Sequence, residues 1–120
     1  MKLVLNEELQ FLKDTASNFA KDKAPVSHLR KLRDEGHPNS WDEGLWNEMV
    51  ELGWTSILIP EKYGGSEFGL AGISVVLQEL GKTLVPSPLF ATGVLGVTSI
   101  NQWVPSLKKK NFLEKFLKVS

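Results

Sequence analysis

The sequence predicts an all-α domain, a bundle of about five to six helices. Three observations carry that expectation. Apolar residues recur at spacings of three and four along most of the chain. Capping residues, prolines and glycines punctuate those stripes at helix-length intervals. The only segment that reads as extended is a short apolar piece at residues 54–59. With 120 residues the chain has the length of one domain, 1–120.

The first helix is expected over about residues 7–23. Asn6 is a suitable N-cap, and Glu7 and Glu8 sit where the helix dipole favours acids. Leu5, Leu9, Leu12, Ala16, Phe19 and Ala20 form its stripe, and Pro25 ends it. Val26, Leu29 and Leu32 suggest one face of a short helix stopping at Gly36, followed by a loop at His37, Pro38 and Asn39. Ser40 and Glu43 form a capping-box pattern, each side chain able to bond the other's backbone N–H. The helix they open carries Leu45, Trp46, Met49, Val50 and Leu52, and Gly53 is its expected left-handed stop. After the extended piece, Pro60 and the Tyr63-Gly64-Gly65 run predict a shaped loop. Ile73, Val76, Leu77, Leu80 and Leu84 place a long helix over about residues 70–84, with Gly72 and Gly81 hinting at close packing. Ser87 as N-cap and Pro88 in the first helical position open another helix, to about Asn101. Val104-Pro105 breaks it, and Ser106 caps a last helix with Leu113, Phe116 and Leu117 on its apolar side.

The helix after Ser87 is unusual. Leu89, Phe90, Ala91, Val94, Leu95, Val97 and Ile100 cover most of its circumference, and none of its side chains is charged. Such a helix needs cover on nearly every side, since burying one Leu or Phe is worth about 1.5–3 kcal/mol. Either it runs through the centre of the domain, or part of it meets another domain or an apolar ligand. Ala91, Gly93 and Gly96 leave room beside the backbone for either arrangement.

Composition excludes several functions. Lys+Arg and Asp+Glu are both 14, so the basic surplus of a nucleic-acid module is missing. No cysteine is present, which removes disulfide scaffolds, iron–sulfur sites and Cys-ligated zinc. His28 and His37 lack metal-binding spacing and read as ordinary surface residues. The longest apolar stretch, from Leu89 to Ile100, is too short to span a membrane, and the N-terminus does not read as a signal peptide. A cytoplasmic protein is therefore expected, or a matrix protein in a mitochondrion. The acid pairs at residues 7–8 and 42–43 suit helix first turns rather than acid–base catalysis. Glu79 is expected to reach solvent or Lys82 at i+3. Gly64-Gly65 lacks the context of a phosphate loop. From Val104 onward five Lys face one Glu, the pattern of a solvated connecting helix, with a weak anion or membrane-surface contact as the rival. Trp41, Trp46, Trp54 and Trp103 are expected as core or interface anchors.

The run Leu52-Gly53-Trp54-Thr55-Ser56-Ile57-Leu58-Ile59-Pro60-Glu61-Lys62-Tyr63-Gly64-Gly65 closely resembles the LGW…PE-x-YGG segment of acyl-CoA dehydrogenases. Three further segments resemble the same family in the same order: residues 7–15 its opening helix, residues 77–82 with Pro86 and Pro88 its EELG…P-x-P stretch, and Lys108-Lys109-Lys110 before Phe112-Leu113 its basic run.

The resemblance implies an FAD-dependent flavoprotein acting on acyl-CoA. In that family a base takes the α-proton of the thioester and the β-hydrogen leaves as hydride to the flavin, so the cofactor carries the redox chemistry. The implied fold is an N-terminal helical domain, a β-domain and a C-terminal four-helix bundle, in homo- or hetero-oligomers. The chain is expected to be the first of these alone, without the β-domain or the bundle that carries the catalytic glutamate. No catalytic or flavin-binding residue of the family matches here, so FAD is expected in the complete enzyme and not on the isolated chain. One role carries over: the helix before the basic run helps wall the acyl pocket, and the matching positions are Ser87, Pro88, Ala91 and Leu95. Plain core packing is the alternative reading of those four. A free-standing helical module that binds a lipid or a protein without flavin chemistry is the alternative for the whole chain.

Overall fold

A computed structural model describes residues 5–117, without the side chain of Leu107; among them the chain forms six α-helices and no strand. The first four residues, which entered the signal-peptide argument, and Lys118 of the basic end lie outside the described residues.

Helix α1 (Glu7–Lys23) starts where Asn6 Oδ1 accepts the Leu9 N–H at 2.8 Å. Its stripe of Leu12, Ala16, Phe19 and Ala20 is buried. Helix α2 (Val26–Asp34) stops at Gly36 as its sequence suggests. Gly36 takes φ +63°, the His37 N–H donates to the Leu32 carbonyl, and the Gly36 N–H donates to the Arg33 carbonyl, each at 3.1 Å.

Helix α3 (Glu43–Glu51) corrects the capping-box expectation. Its cap is Asp42, whose Oδ1 accepts the Leu45 N–H at 3.1 Å. Ser40 lies in the preceding loop at φ +60°, and Glu43 accepts from the Asn39 side chain at 3.2 Å. An ionised carboxylate immediately before the helix is the stronger acceptor for first-turn N–H groups, so it displaces the hydroxyl two residues earlier.

Residues 54–59 are not extended, a second correction. Gly53 takes φ +81°, and Trp54–Ser56 form a 3-10 turn in which Ser56 Oγ donates to the Gly53 carbonyl at 2.7 Å. The chain then doubles back. The N–H groups of Ser66, Glu67 and Phe68 donate to the carbonyls of Ser56, Ile59 and Ile57 at 3.1, 3.2 and 3.0 Å. Without a neighbouring strand, the buried run satisfies its carbonyls through this local return. The return is tightest at Gly65, where a Cβ would sit 2.1 Å from the Ile59 carbonyl oxygen. Only a residue without a side chain fits there.

Helix α4 (Gly69–Lys82) ends before Leu84, which takes φ +55° and is exposed instead of extending the stripe. Gly72 does mark a close approach: a Cβ there would lie 2.5 Å from Phe68 Cβ and 3.2 Å from Ile57 Cγ2. Gly81 does not, because it faces open space. Helices α1 and α4 pack along one another, and Ile73, Val76 and Leu80 join the α1 stripe with Trp46, Met49, Trp54 and Leu89 in one core. The Phe19 and Trp54 rings meet edge to face at 5.1 Å.

A smaller core lies beyond it. Ile59 from the return loop meets Val97 of helix α5 (Val97–Trp103) and Leu113 of helix α6 (Ser106–Leu117). Thr55 Oγ1 donates to the Phe116 carbonyl at 2.9 Å and ties α6 to the turn after α3. Ser106 is the first helical residue of α6 rather than its cap, and the Lys108 and Lys109 N–H groups bond to the Pro105 carbonyl.

Candidate functional site on the apolar helix

The apolar helix starts at Leu89, one residue later than expected: Pro88 is the bend before it rather than its first helical residue, and Ser87 Oγ accepts the Leu89 N–H at 3.3 Å. From there the chain is helical through Trp103, but not uniformly. Phe90–Gly96 is π-helical and only Val97–Trp103 is α. This wider winding is rare and was not foreshadowed by side-chain spacing. Its packing explains where it can occur. Gly93 lies against the backbone of Trp54 and Thr55, and a Cβ on Gly96 would lie 3.0 Å from the Phe116 ring. Two residues without side chains let the broad turn rest on both neighbours.

The helix has two unlike sides. Leu89 and Val97 are both 0% exposed, Gly93 is buried, and Leu89 and Val97 sit in the larger and smaller cores respectively. On the opposite side Phe90 and Leu95 are each 53% exposed, with Ala91 exposed beside them and Trp103 78% exposed at the end. The domain is 19 Å across its thinnest direction. Helices are about 10 Å wide with their side chains, so that thickness holds two layers and cannot enclose a helix on all sides. The reading in which the apolar helix is wholly central is therefore overturned: its inner side is core and its outer flank is bare.

Of the four wall positions drawn from the family resemblance, Ala91 and Leu95 stand on that bare flank. Ser87 and Pro88 are half-buried at the helix entrance. Phe90 belongs with them by exposure and was not among the four. Of the polar residues of this stretch, Thr98, Ser99 and Gln102 are exposed, and Thr92 and Asn101 are half-buried. Ser99 Oγ donates to the Leu95 carbonyl at 2.7 Å, and Asn101 Nδ2 reaches the Leu58 carbonyl at 3.5 Å.

Other expectations meet mixed outcomes. Trp46 and Trp54 are core anchors and Trp41 is half-buried, whereas Trp103 anchors nothing within the described residues. His28 is not an ordinary surface residue. It is half-buried between α2 and α3, with Nε2 lacking a hydrogen-bond partner and lying 3.8 Å from Asp42 Oδ2. Glu79 is 4% exposed and accepts from Lys82 Nζ at 3.0 Å, so of the two fates expected it takes the second. Two clefts of about 440 and 400 Å³ flank the α2–α3 corner, one lined by Leu29, Leu32, Arg33 and Ser40 and the other by His28, Lys31, Glu35 and Asp42. Neither is lined by any residue of the apolar helix. Among the described residues no three His, Asp or Glu side chains converge as metal ligands, and no helix is long and apolar enough to cross a membrane.

Among the described residues, one side of the most apolar element of this all-helical domain is thus uncovered. The comparisons with known proteins say which class of protein it is. Residues 6–120 match the sequence model described as "Acyl-CoA dehydrogenase, N-terminal domain", and the chain belongs to that family. It is 40% identical over 88 residues to acyl-CoA dehydrogenase IpdE2 of Mycobacterium tuberculosis, covering 72% of this chain and 27% of that protein. The corresponding protein of Mycolicibacterium smegmatis is 35% identical over 89 residues, 73% of this chain and 28% of its own length. (2S)-methylsuccinyl-CoA dehydrogenase of Cereibacter sphaeroides is 33% identical over 96 residues, 79% of this chain and 16% of its own. The matched region is thus about a quarter of the two mycobacterial relatives. No solved structure matches the chain.

Proposed function

We propose that this chain is the acyl-pocket side of an FAD-dependent acyl-CoA dehydrogenase, an enzyme that introduces an α,β double bond into acyl-CoA thioesters. The observation that carries the reading is the bare apolar flank at Phe90, Ala91 and Leu95, found on the helix that the family resemblance assigns to the acyl wall. Ser87, Pro88, Ala91 and Leu95 are the proposed wall residues. Ser87 fixes the start of the helix through its hydrogen bond to Leu89, and Ala91 and Leu95 offer hydrocarbon to the acyl chain.

FAD bound to the complete enzyme would supply the hydride acceptor. Among the described residues, the clefts at the α2–α3 corner share no lining residue with the apolar helix. The flavin site and the catalytic base belong, in this reading, to a β-domain and a C-terminal helical bundle of the kind the longer relatives have room for. Those domains and the acyl-CoA are the proposed partners, and the chain's own work is to exclude water from one side of the acyl group and to hold it in place.

A flavin titration with a dye-reduction assay on the 120-residue chain tests this division of labour. The expected result is no stoichiometric flavin and no turnover. A yellow protein that oxidises acyl-CoA unaided would overturn it.

A further inference from the structure

Charge is unevenly spread along this neutral chain. Residues 1–103 carry nine Lys or Arg against thirteen Asp or Glu, and residues 104–120 carry five Lys against Glu114 alone. Four of those lysines are on α6. One side of α6 is fixed to the domain: Leu113 is fully buried, Phe116 packs in the smaller core, and the Phe116 carbonyl accepts from Thr55. Lys108, Phe112 and Lys115 are spaced i, i+4 and i+7, which places them together on another flank of the helix, and all three are exposed. Lys115 Nζ lies over the Phe112 ring at 5.7 Å, so the ring and the ammonium form one patch. Lys110 and Glu114, also four apart, sit on the next flank, where their charges offset each other. Trp103 stands just before α6 and is exposed.

We propose that this flank of α6 docks the domain on an anionic lipid surface, with Lys108 and Lys115 among the headgroups and Phe112 at the boundary with the acyl chains. Lysines alone would suit any acidic partner. A ring between two lysines, with an indole close by in the chain, suits a medium that is negative at its surface and apolar just beneath it. Long lysine stems reach back to the headgroups while the ring goes deeper. The acidic excess of residues 1–103 turns the rest of the domain away from such a surface and so orients α6 toward it. The contact is peripheral, and it uses neither the α2–α3 clefts nor the residues proposed for the acyl wall.

Co-sedimentation of the chain with vesicles tests the docking, using phosphatidylcholine alone and phosphatidylcholine with about one third phosphatidylserine. Sedimentation is expected with the anionic vesicles, to be much weaker with the zwitterionic ones, and to fall as salt rises to about 0.5 M. Each lysine near an anionic surface strengthens binding about fivefold, so Lys108→Gln with Lys115→Gln is expected to weaken it about 25-fold. Phe112→Ala is expected to weaken it about threefold or more. Circular dichroism of both variants checks that the exposed substitutions leave the helices intact. No sedimentation with anionic vesicles overturns the proposal, as does binding that survives the lysine substitutions. Phe112→Ala without effect, or equal retention on immobilised polyglutamate, identifies a partner that is merely acidic and overturns the lipid docking.

Discussion

The two sides of the apolar helix predict opposite responses to the same truncation. Leu89 is 0% exposed in the main core, and Leu95 is 53% exposed on the flank. Leu89→Ala removes buried methyl groups and leaves a hole beside Gly93, against which the Leu89 side chain packs. Losses for such sites run at about 2–5 kcal/mol, and about 3 kcal/mol is expected here. Leu95→Ala opens no enclosed cavity and forfeits at most half of a leucine's burial, about 1 kcal/mol. Urea denaturation followed by circular dichroism reads the difference. With a slope of about 1.5 kcal/mol per molar, the midpoint falls by about 2 M for Leu89→Ala and by less than about 0.7 M for Leu95→Ala. Where Leu89→Ala does not fold, Val97→Ala tests the inner side in the smaller core, with an expected fall of about 1 M. Equal losses at Leu89 and Leu95 would refute the two-sided helix.

Four other substitutions probe features elsewhere in the fold. Gly65→Ala is expected to cost about 3 kcal/mol or more, because its Cβ would collide with the Ile59 backbone; a melting temperature unchanged within a degree or so would show that the return loop is looser than described. Asp42→Ala is expected to lose about 1 kcal/mol while Ser40→Ala loses almost nothing, and the reverse order in a denaturation series would restore Ser40 as the cap. Lys82→Met removes the hydrogen-bond donor from the buried Glu79 carboxylate and is expected to cost about 1 kcal/mol, limited because Lys82 is itself exposed. If Lys82→Met proves neutral, Glu79 does not depend on that partner.

What was readable in the sequence follows from the range of the forces involved. Helix α1 was legible because Asn6, Glu7, Glu8 and the stripe from Leu12 to Ala20 all act within one or two turns. Gly36 and Gly53 were legible for the same reason: each closes a helix through a left-handed turn and nearby carbonyls. At α3 two local signals competed, and the carboxylate of Asp42 won over the hydroxyl of Ser40. Residues 54–59 were misread because apolar, β-branched content does not itself supply a pairing strand. Their carbonyls are satisfied by residues 66–68, a contact the pattern does not encode. The π-helical segment rests on the Trp54 backbone and the Phe116 ring, both supplied by other elements, whereas spacing alone pointed to an ordinary α-helix. Of the candidate site, Ala91 and Leu95 were reached through the family motif and then found on the open flank. Phe90 was missed as a site residue because an apolar residue beside Leu89 looks the same in sequence whether it faces core or solvent.

In the proposed function an acyl chain lies along the outer flank of the helix after Ser87. A CoA thioester whose acyl tail carries a nitroxide, added to the ¹⁵N-labelled chain, measures this directly through distance-dependent broadening of amide signals. Broadening should appear first at Phe90, Ala91 and Leu95, with the α2–α3 corner unaffected. Broadening centred on Leu29, Leu32 and Ser40, or spread evenly over the surface, would contradict it.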